Sequence, residues 1–227
     1  MIRFINQIKK LFIYELILLQ ICIALDINKI NNILLDEHNK YRKIHNSKNI
    51  TIDKDIINKA QVYAQSLASN SDPYYLESSG SYSESGEKYG ENLYQCHKKT
   101  CKLENWTQPA NIWYNEISNY DFSLNKSQPG TYNFTQMIWK KTKKMGCGVG
   151  QIDDNSYKIV CFYYPKGNVY NKYGDNVLPA NNSIIEQLNA EPQKEYGDYN
   201  DFINSEDFLR NKMLIFLLIM FFVCFLN

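Results

Sequence analysis

Few side chains in this sequence are well suited to chemistry: its 227 residues include three histidines and six cysteines. His38 stands four residues before Arg42, so the two share one face of any helix that runs through them. On residue type and spacing alone they read as a solvated helix edge carrying a satisfied histidine. His38 could pair with a carboxylate, but no GxSxG nucleophile turn accompanies it. Cys22 and Cys224 lie in apolar terminal runs, which leaves Cys96, Cys101, Cys147 and Cys161 in the body. Four cysteines permit three pairings, and an oxidising compartment would make them structural staples.

The elements that must position these residues follow from hydrophobic periodicity. Val149, Ile159, Cys161 and Tyr163 are β-prone, and Asp153-Asp154-Asn155 between the two runs supplies a hairpin turn. Such a hairpin brings Cys147 to Cys161, within the about 4.4–6.8 Å between Cα atoms that a disulfide demands. That pairing leaves Cys96 with Cys101 across a short loop. Just upstream, Phe134, Ile138 and Trp139 lie at helical spacing, with Thr135 and Gln136 between them as polar contacts.

Ile30, Ile33, Leu34 and Tyr41 set a first helix over residues 27–42. Ile56, Ala60, Tyr63, Ala64 and Leu67 set the core face of a second over residues 55–68, capped by Asp53 or Asp55. Residues 69–90 form a long loop rich in Ser, Gly and Tyr, a length that points to a functional or recognition role. A third helix starts near Gln108, with Pro109 in its first turn and Ile112, Trp113, Glu116, Ile117 and Tyr120 at helical spacing. Beyond Asn168 the chain is polar and reads as a closing strand or coil that becomes a stalk.

The net charge of +1, without a basic block or a phosphate-cradling glycine loop, argues against nucleic acid as a partner. Arg3, Lys9 and Lys10 precede an apolar run, the order of a signal peptide over residues 1–24 with cleavage after Ala24, although Glu15 interrupts it. Residues 181–212 make a polar stalk before the apolar tail 213–226. That tail is shorter than the about 20 residues that cross a bilayer, so it is either a short anchor or a lipid-attachment signal near Asn204-Ser205. Asn49, Asn105, Asn125, Asn133 and Asn181 begin glycosylation sequences, of which only some are expected to carry sugar.

Several separated stretches converge on one family. HNKYR from His38 to Arg42 and GENL from Gly90 to Leu93 are joined by WYNEISNYDF, YNFTQMIW from Tyr132 to Trp139, GCG and CFYYPKGN. With these motifs the chain resembles the CAP or SCP superfamily of cysteine-rich secretory, antigen 5 and pathogenesis-related 1 proteins. The 113–122 stretch and the NVLP ending at Pro179 look most like its Golgi-associated and glioma-pathogenesis-related branch. The motif residues carried by the match are His38, Asn39, Arg42, Asn92, Gln136 and Trp139.

The resemblance implies an α+β fold over residues 25–180, a three-layer α-β-α sandwich with a central, mostly antiparallel sheet. It implies the same Cys147–Cys161 pair. It also implies a mostly secreted protein without enzymatic activity, whose partners are a sterol or fatty acid, or a cell-surface or host protein. Many members carry a cleft of two histidines and two glutamates that can hold zinc. Here the glutamates fall at Glu91 and Glu116, but one histidine position is Asn133 and the segment before GENL has no histidine. His97 follows the motif and is poorly placed to substitute.

An asparagine cannot replace a neutral imidazole on zinc or act as a general base. No cofactor is therefore expected, and the cleft carboxylates should be held by backbone, Tyr or Asn hydrogen bonds, at least one of them partly solvated or sharing a proton. The expectation is a secreted or surface-anchored interaction or lipid-binding module. The alternative is a hydrolase or divalent-metal enzyme using Glu91 and Glu116.

Overall fold

The computed structural model describes residues 27–81, 83, 85–97, 106–153 and 156–190. The expected signal peptide, most of the expected stalk and the apolar tail lie outside them, as do Cys101, Asn105 and the turn residues Asp154 and Asn155. No helix among the described residues is long and apolar enough to cross a membrane.

Helix α1 spans residues 27–44. Strand β1 (Thr51–Ile52) leads into α2 (Lys54–Ala68), whose N-terminus is capped by Asp53, its carboxylate accepting from the N–H groups of Asp55 and Ile56. Next come β2 (Gly90–His97), α3 (Gln108–Asn115) and a 3₁₀ turn over Glu116–Asn119. Helix α4 (Tyr132–Ile138), β3 (Lys144–Asp153) and β4 (Ser156–Tyr164) complete the core. The four strands form one sheet in the order β1-β3-β4-β2, with β1 parallel to β3 and the other pairs antiparallel.

Strand alternation divides the interior into two clusters, one on each face of the sheet. Val160 and Phe162 face α2, where Ile56, Ala60, Ala64 and Leu67 cover them. Ile159, Cys161 and Tyr163 face the other way, onto Leu34 of α1, Trp113 of α3 and Phe134 and Met137 of α4. This is a three-layer α-β-α sandwich. The α2 layer can lie close because β3 presents glycine at every second residue. A Cβ at Gly146, Gly148 or Gly150 would stand 2.4, 2.3 or 2.0 Å from backbone atoms of Ile57, Gln61 or Ala64. Two strand residues advance about 6.7 Å and four helix residues about 6 Å, so the glycine stripe keeps step with the helix turns.

The short β1 leaves most of the outer edge of β3 without a strand, and side-chain amides complete it. Met145 is bonded by the N–H of Asp53. At Cys147 the peptide exchanges two bonds with the Asn31 amide, at 2.8 and 2.9 Å, and at Val149 with the Gln61 amide, at 2.9 and 2.7 Å. Asn39 clasps the Ile50 peptide in the same two-bond manner. Each amide offers a donor and an acceptor with the geometry of a neighbouring peptide, so buried backbone groups stay paired.

Cys147 and Cys161 are direct cross-strand partners and form a disulfide, with their Cα atoms 4.1 Å apart, slightly closer than the expected range. Cys96 is also disulfide-bonded, and its expected partner Cys101 is outside the described residues.

The structure corrects three expectations. His38 and Arg42 are fully buried rather than on a solvated edge. Helix α3 ends at Asn115 with Ile112 exposed, and the expected helical run to Tyr120 continues instead as a 3₁₀ turn over Glu116–Asn119, whereas Tyr63 packs half-buried on Phe162 as expected. The polar stretch after Asn168 is helical at α5 (Tyr173–Asn176) and α6 (Asn182–Ala190), not strand or coil. In α6, Ile184, Ile185 and Leu188 fall at helical spacing and are half-buried, a pattern that the surrounding polar residues obscure.

Candidate functional site

Helix α4 sits at the centre of the site. Its N-cap position, Thr131, makes no side-chain cap, which would leave the first N–H groups of the helix unpaired. Glu116 supplies the missing acceptor from another element. The 3₁₀ turn that follows α3 aims its carboxylate at the start of α4, where it accepts from the N–H of Asn133 at 2.9 Å and of Phe134 at 3.0 Å. The Asn133 amide donates a third bond at 2.6 Å. A carboxylate at a helix N-terminus is also favoured by the helix dipole. The Asn133 carbonyl in turn accepts from the buried Asn92 amide at 3.0 Å.

Glu91 is held by different groups. Along β2 the even-numbered residues face α4: the Gln136 side chain sits against Gly90, where a Cβ would meet its oxygen at 2.0 Å, and Asn92 reaches Asn133. Alternation turns Glu91 the other way. There the long loop delivers Ser78 and Ser79. Both hydroxyls and the Ser79 N–H donate to the Glu91 carboxylate, at 2.9, 2.8 and 2.7 Å. Glu91, Glu116 and Asn133 are all half-buried residues. The structure therefore brings Glu116, Asn133 and Asn92 into one network and gives Glu91 to another. Glu116 is bonded by backbone and an asparagine, as expected; at Glu91 the partners among the described residues are serines and backbone, with no Tyr or Asn.

The remaining motif residues position α4. Arg42 aims its guanidinium at the end of that helix, donating to the carbonyls of Met137 and Trp139, each at 2.9 Å. It also donates to Thr142 and Lys48, so the cation is dissolved in carbonyls at a helix C-terminus. Burial pushes its pKa down to about 10, still far above neutrality. Gln136 accepts from the Gly167 N–H at 2.7 Å and donates to Thr142. Trp139 is buried edge-on against Tyr173.

The histidines are structural. His38 Nδ1 lies 2.6 Å from the Leu34 carbonyl, which only accepts, so Nδ1 carries the proton. Its Nε2 then accepts from the Tyr163 hydroxyl at 2.7 Å. Burial lowers the His38 pKa to about 4 and raises that of Tyr163, so the pair stays neutral. His45, which sequence reasoning passed over, is built alike. Its Nδ1 donates to the Leu178 carbonyl at 2.6 Å and its Nε2 accepts from Tyr114 at 3.0 Å. Phe122 and Phe134 enclose the ring, and burial lowers its pKa. The signal for it was present in the spacing, since His45 follows Arg42 and Tyr41 on the same helix end. His97 contacts the Tyr74 ring at the far end of β2, about 20 Å along the strand from Glu91.

Chemically, this arrangement binds and braces. Among the described residues no group of three or more His, Cys, Asp or Glu side chains is placed to hold a metal ion. The Ser79 hydroxyl meets the Glu91 carboxylate, but the ring nitrogens of both buried histidines are committed elsewhere, so no imidazole base reaches that serine.

Comparison with known proteins agrees with the fold and the motifs. Residues 35–164, more than half of the chain, match the model of the family described as CAP, the cysteine-rich secretory protein family. The human Golgi-associated plant pathogenesis-related protein 1 is 37% identical over 152 residues, covering 66% of this chain and 92% of that protein. Protein PRY2 of Saccharomyces cerevisiae is 33% identical over 151 residues, covering 64% of this chain and 40% of the yeast protein. Among solved structures, that of NaASP2 with Zn2+ superposes with a TM-score of 0.50 at 20% identity, over 67% of this chain and 86% of that one, a likeness of fold. The family-model match and the human relative, close to the Golgi-associated, PR-1-like branch, establish that the chain belongs to the CAP, or cysteine-rich secretory protein, family.

Proposed function

We propose that this chain is a non-enzymatic interaction module, secreted or held at the cell surface, that binds a sterol, a fatty acid or a cell-surface or host protein without using a metal. One observation carries the reading. Where metal-binding relatives are expected to present an imidazole, Asn133 donates its amide to Glu116, and that carboxylate also caps the N-terminus of α4. Glu91 is engaged separately by Ser78 and Ser79, which speaks against a shared two-glutamate centre of the kind a divalent-metal enzyme or hydrolase needs.

Membership of a secretory family supports a secreted or extracellular setting in general. In this reading residues 1–24 are removed as a signal peptide, and the 213–226 tail anchors the body directly or is exchanged for a lipid. The test is equilibrium binding of cholesterol and of palmitate to the purified chain, with and without a metal chelator, beside ester-hydrolysis assays. The reading expects saturable lipid binding that the chelator leaves unchanged, and no turnover. Lipid binding that chelation abolishes, or turnover lost in Glu91→Gln or Glu116→Gln, would overturn it.

A further inference from the structure

Four described asparagines begin glycosylation sequences, and they differ in what their side chains already do. A sugar on such an asparagine is bulky and hydrophilic, so a folded chain carries it only where the amide and the space beyond it are free. Three of the four serve the fold. Asn133 is half-buried and gives its amide to Glu116 in the first turn of α4. Asn181, also half-buried, accepts from the N–H and the hydroxyl of Ser183 at the start of α6. Asn125 is exposed, but its oxygen accepts from the Gly174 N–H at 2.6 Å, and Ser127 hydrogen-bonds Tyr173.

Asn49 has no such duty. It and Thr51 are both exposed, and neither side chain makes a hydrogen bond among the described residues. The backbone on either side is nevertheless held in place. The Lys48 carbonyl accepts from Arg42 at 2.8 Å, and Asn39 clasps the Ile50 peptide at 2.8 and 3.1 Å. The Thr51 N–H donates to the Lys143 carbonyl at 3.0 Å. Between the two exposed residues, Ile50 is fully buried in the core. Side chains alternate along the run into β1, so burying Ile50 turns Asn49 and Thr51 together toward solvent.

We propose that Asn49 is a modification site and carries an N-linked oligosaccharide. The inference rests on the secreted reading above, because the donor, an oligosaccharide joined to a polyprenyl diphosphate, is met in the secretory pathway. In the transfer, the Asn49 Nδ2 forms a bond to C1 of the first sugar while the bond from C1 to the diphosphate oxygen breaks. The polyprenyl diphosphate leaves with that electron pair, and the amide gives up one proton to the medium. The product is a secondary amide on a side chain that holds nothing else, so no bond of the fold is lost.

The position of Asn49 gives the sugar a physical role. It stands at the entrance to β1, the edge strand of the sheet on that side. A short open edge is a template for pairing with another chain, and a bulky hydrophilic group beside it blocks that approach. The opposite edge is β2, which carries Glu91 with Ser78 and Ser79 bonded to it. Three strand spacings, about 14 Å, separate the two edges, so the sugar leaves the β2 side of the sheet uncovered.

Releasing N-linked sugar from the native full chain with an amidase in heavy-oxygen water converts each occupied asparagine to labelled aspartate, which peptide mass mapping locates. Most copies should carry the label at Asn49 and none at Asn133. Asn49→Gln and Thr51→Ala should each lose the same amidase-sensitive gel shift, Thr51→Ser should keep it, and circular dichroism should show all three folded. A chain that holds the Cys147–Cys161 disulfide with Asn49 bare, or with Asn133 labelled as fully as Asn49, would overturn the proposal. A chain with both thiols free and no sugar anywhere would overturn the secreted reading together with it, and the thiols tell the two failures apart.

Discussion

At the scale of single residues, the CAP motif side chains are occupied with holding backbone, and their protonation states follow from that. His38 is the clearest case. Above pH 6.5 it is neutral in both folded and unfolded chains, and its contribution to stability is complete. Between pH 6.5 and about 4 the unfolded chain takes up a proton that the folded chain refuses, so stability falls as the pH falls. Over that window the loss is on the order of 3 kcal/mol, and His45, depressed by the same cause, adds to the slope. Urea unfolding at pH 7 and pH 5 samples about 1.5 pH units of that window and should show about 2 kcal/mol of the loss, and His38→Gln should flatten it; a stability unchanged between the two pH values would refute the assignment. Asn133 also begins a glycosylation sequence, but its amide nitrogen is already bonded to Glu116, so peptide mapping should find it unmodified. The burial of His38 and Arg42 was not legible because the carbonyls that solvate Arg42 come from residues about a hundred positions further on. A charged i, i+4 pair otherwise belongs on a wet surface.

At the scale of elements, periodicity made α1, α2, α3 and the β3–β4 hairpin readable, since each buries a regular apolar stripe. What it could not show was how closely they pack. The glycine stripe of β3 makes sense only once α2 is laid across it. Replacing Gly148 by Ala would place a Cβ 2.3 Å from Gln61 backbone atoms, so the helix must move, at a cost of about 1–3 kcal/mol. Gly174→Ala meets only the Asn125 side chain, at 3.2 Å, and should cost much less. Thermal melts of the two variants compare them directly, and equal midpoints would mean that the β3–α2 contact is looser than described. The Cys147–Cys161 disulfide closes a sequence separation of 14 residues. Removing it as a Cys147→Ala/Cys161→Ala pair should destabilise by about 2–4 kcal/mol in urea. Native material in which either cysteine is free or linked to Cys96 would contradict the pairing.

At the scale of the whole molecule, the family motifs announced the three-layer sandwich, and the sheet order and two-sided core bear it out. The cleft was only half legible. The absence of imidazoles could be read directly, whereas the replacement of a shared centre by two separate networks could not. It depends on strand alternation at Glu91 and on a loop whose serines carry no periodic signal. The central claim is that these carboxylates serve the fold and do not bind a metal. Isothermal titration of the natural chain with Zn²⁺ near neutral pH tests it most directly. The account predicts no micromolar site, and none gained by Asn133→His alone, because a single imidazole beside Glu116 falls short of the three or four ligands zinc takes from a protein. A stoichiometric zinc site in the natural chain, lost in Glu91→Gln or Glu116→Gln, would contradict it.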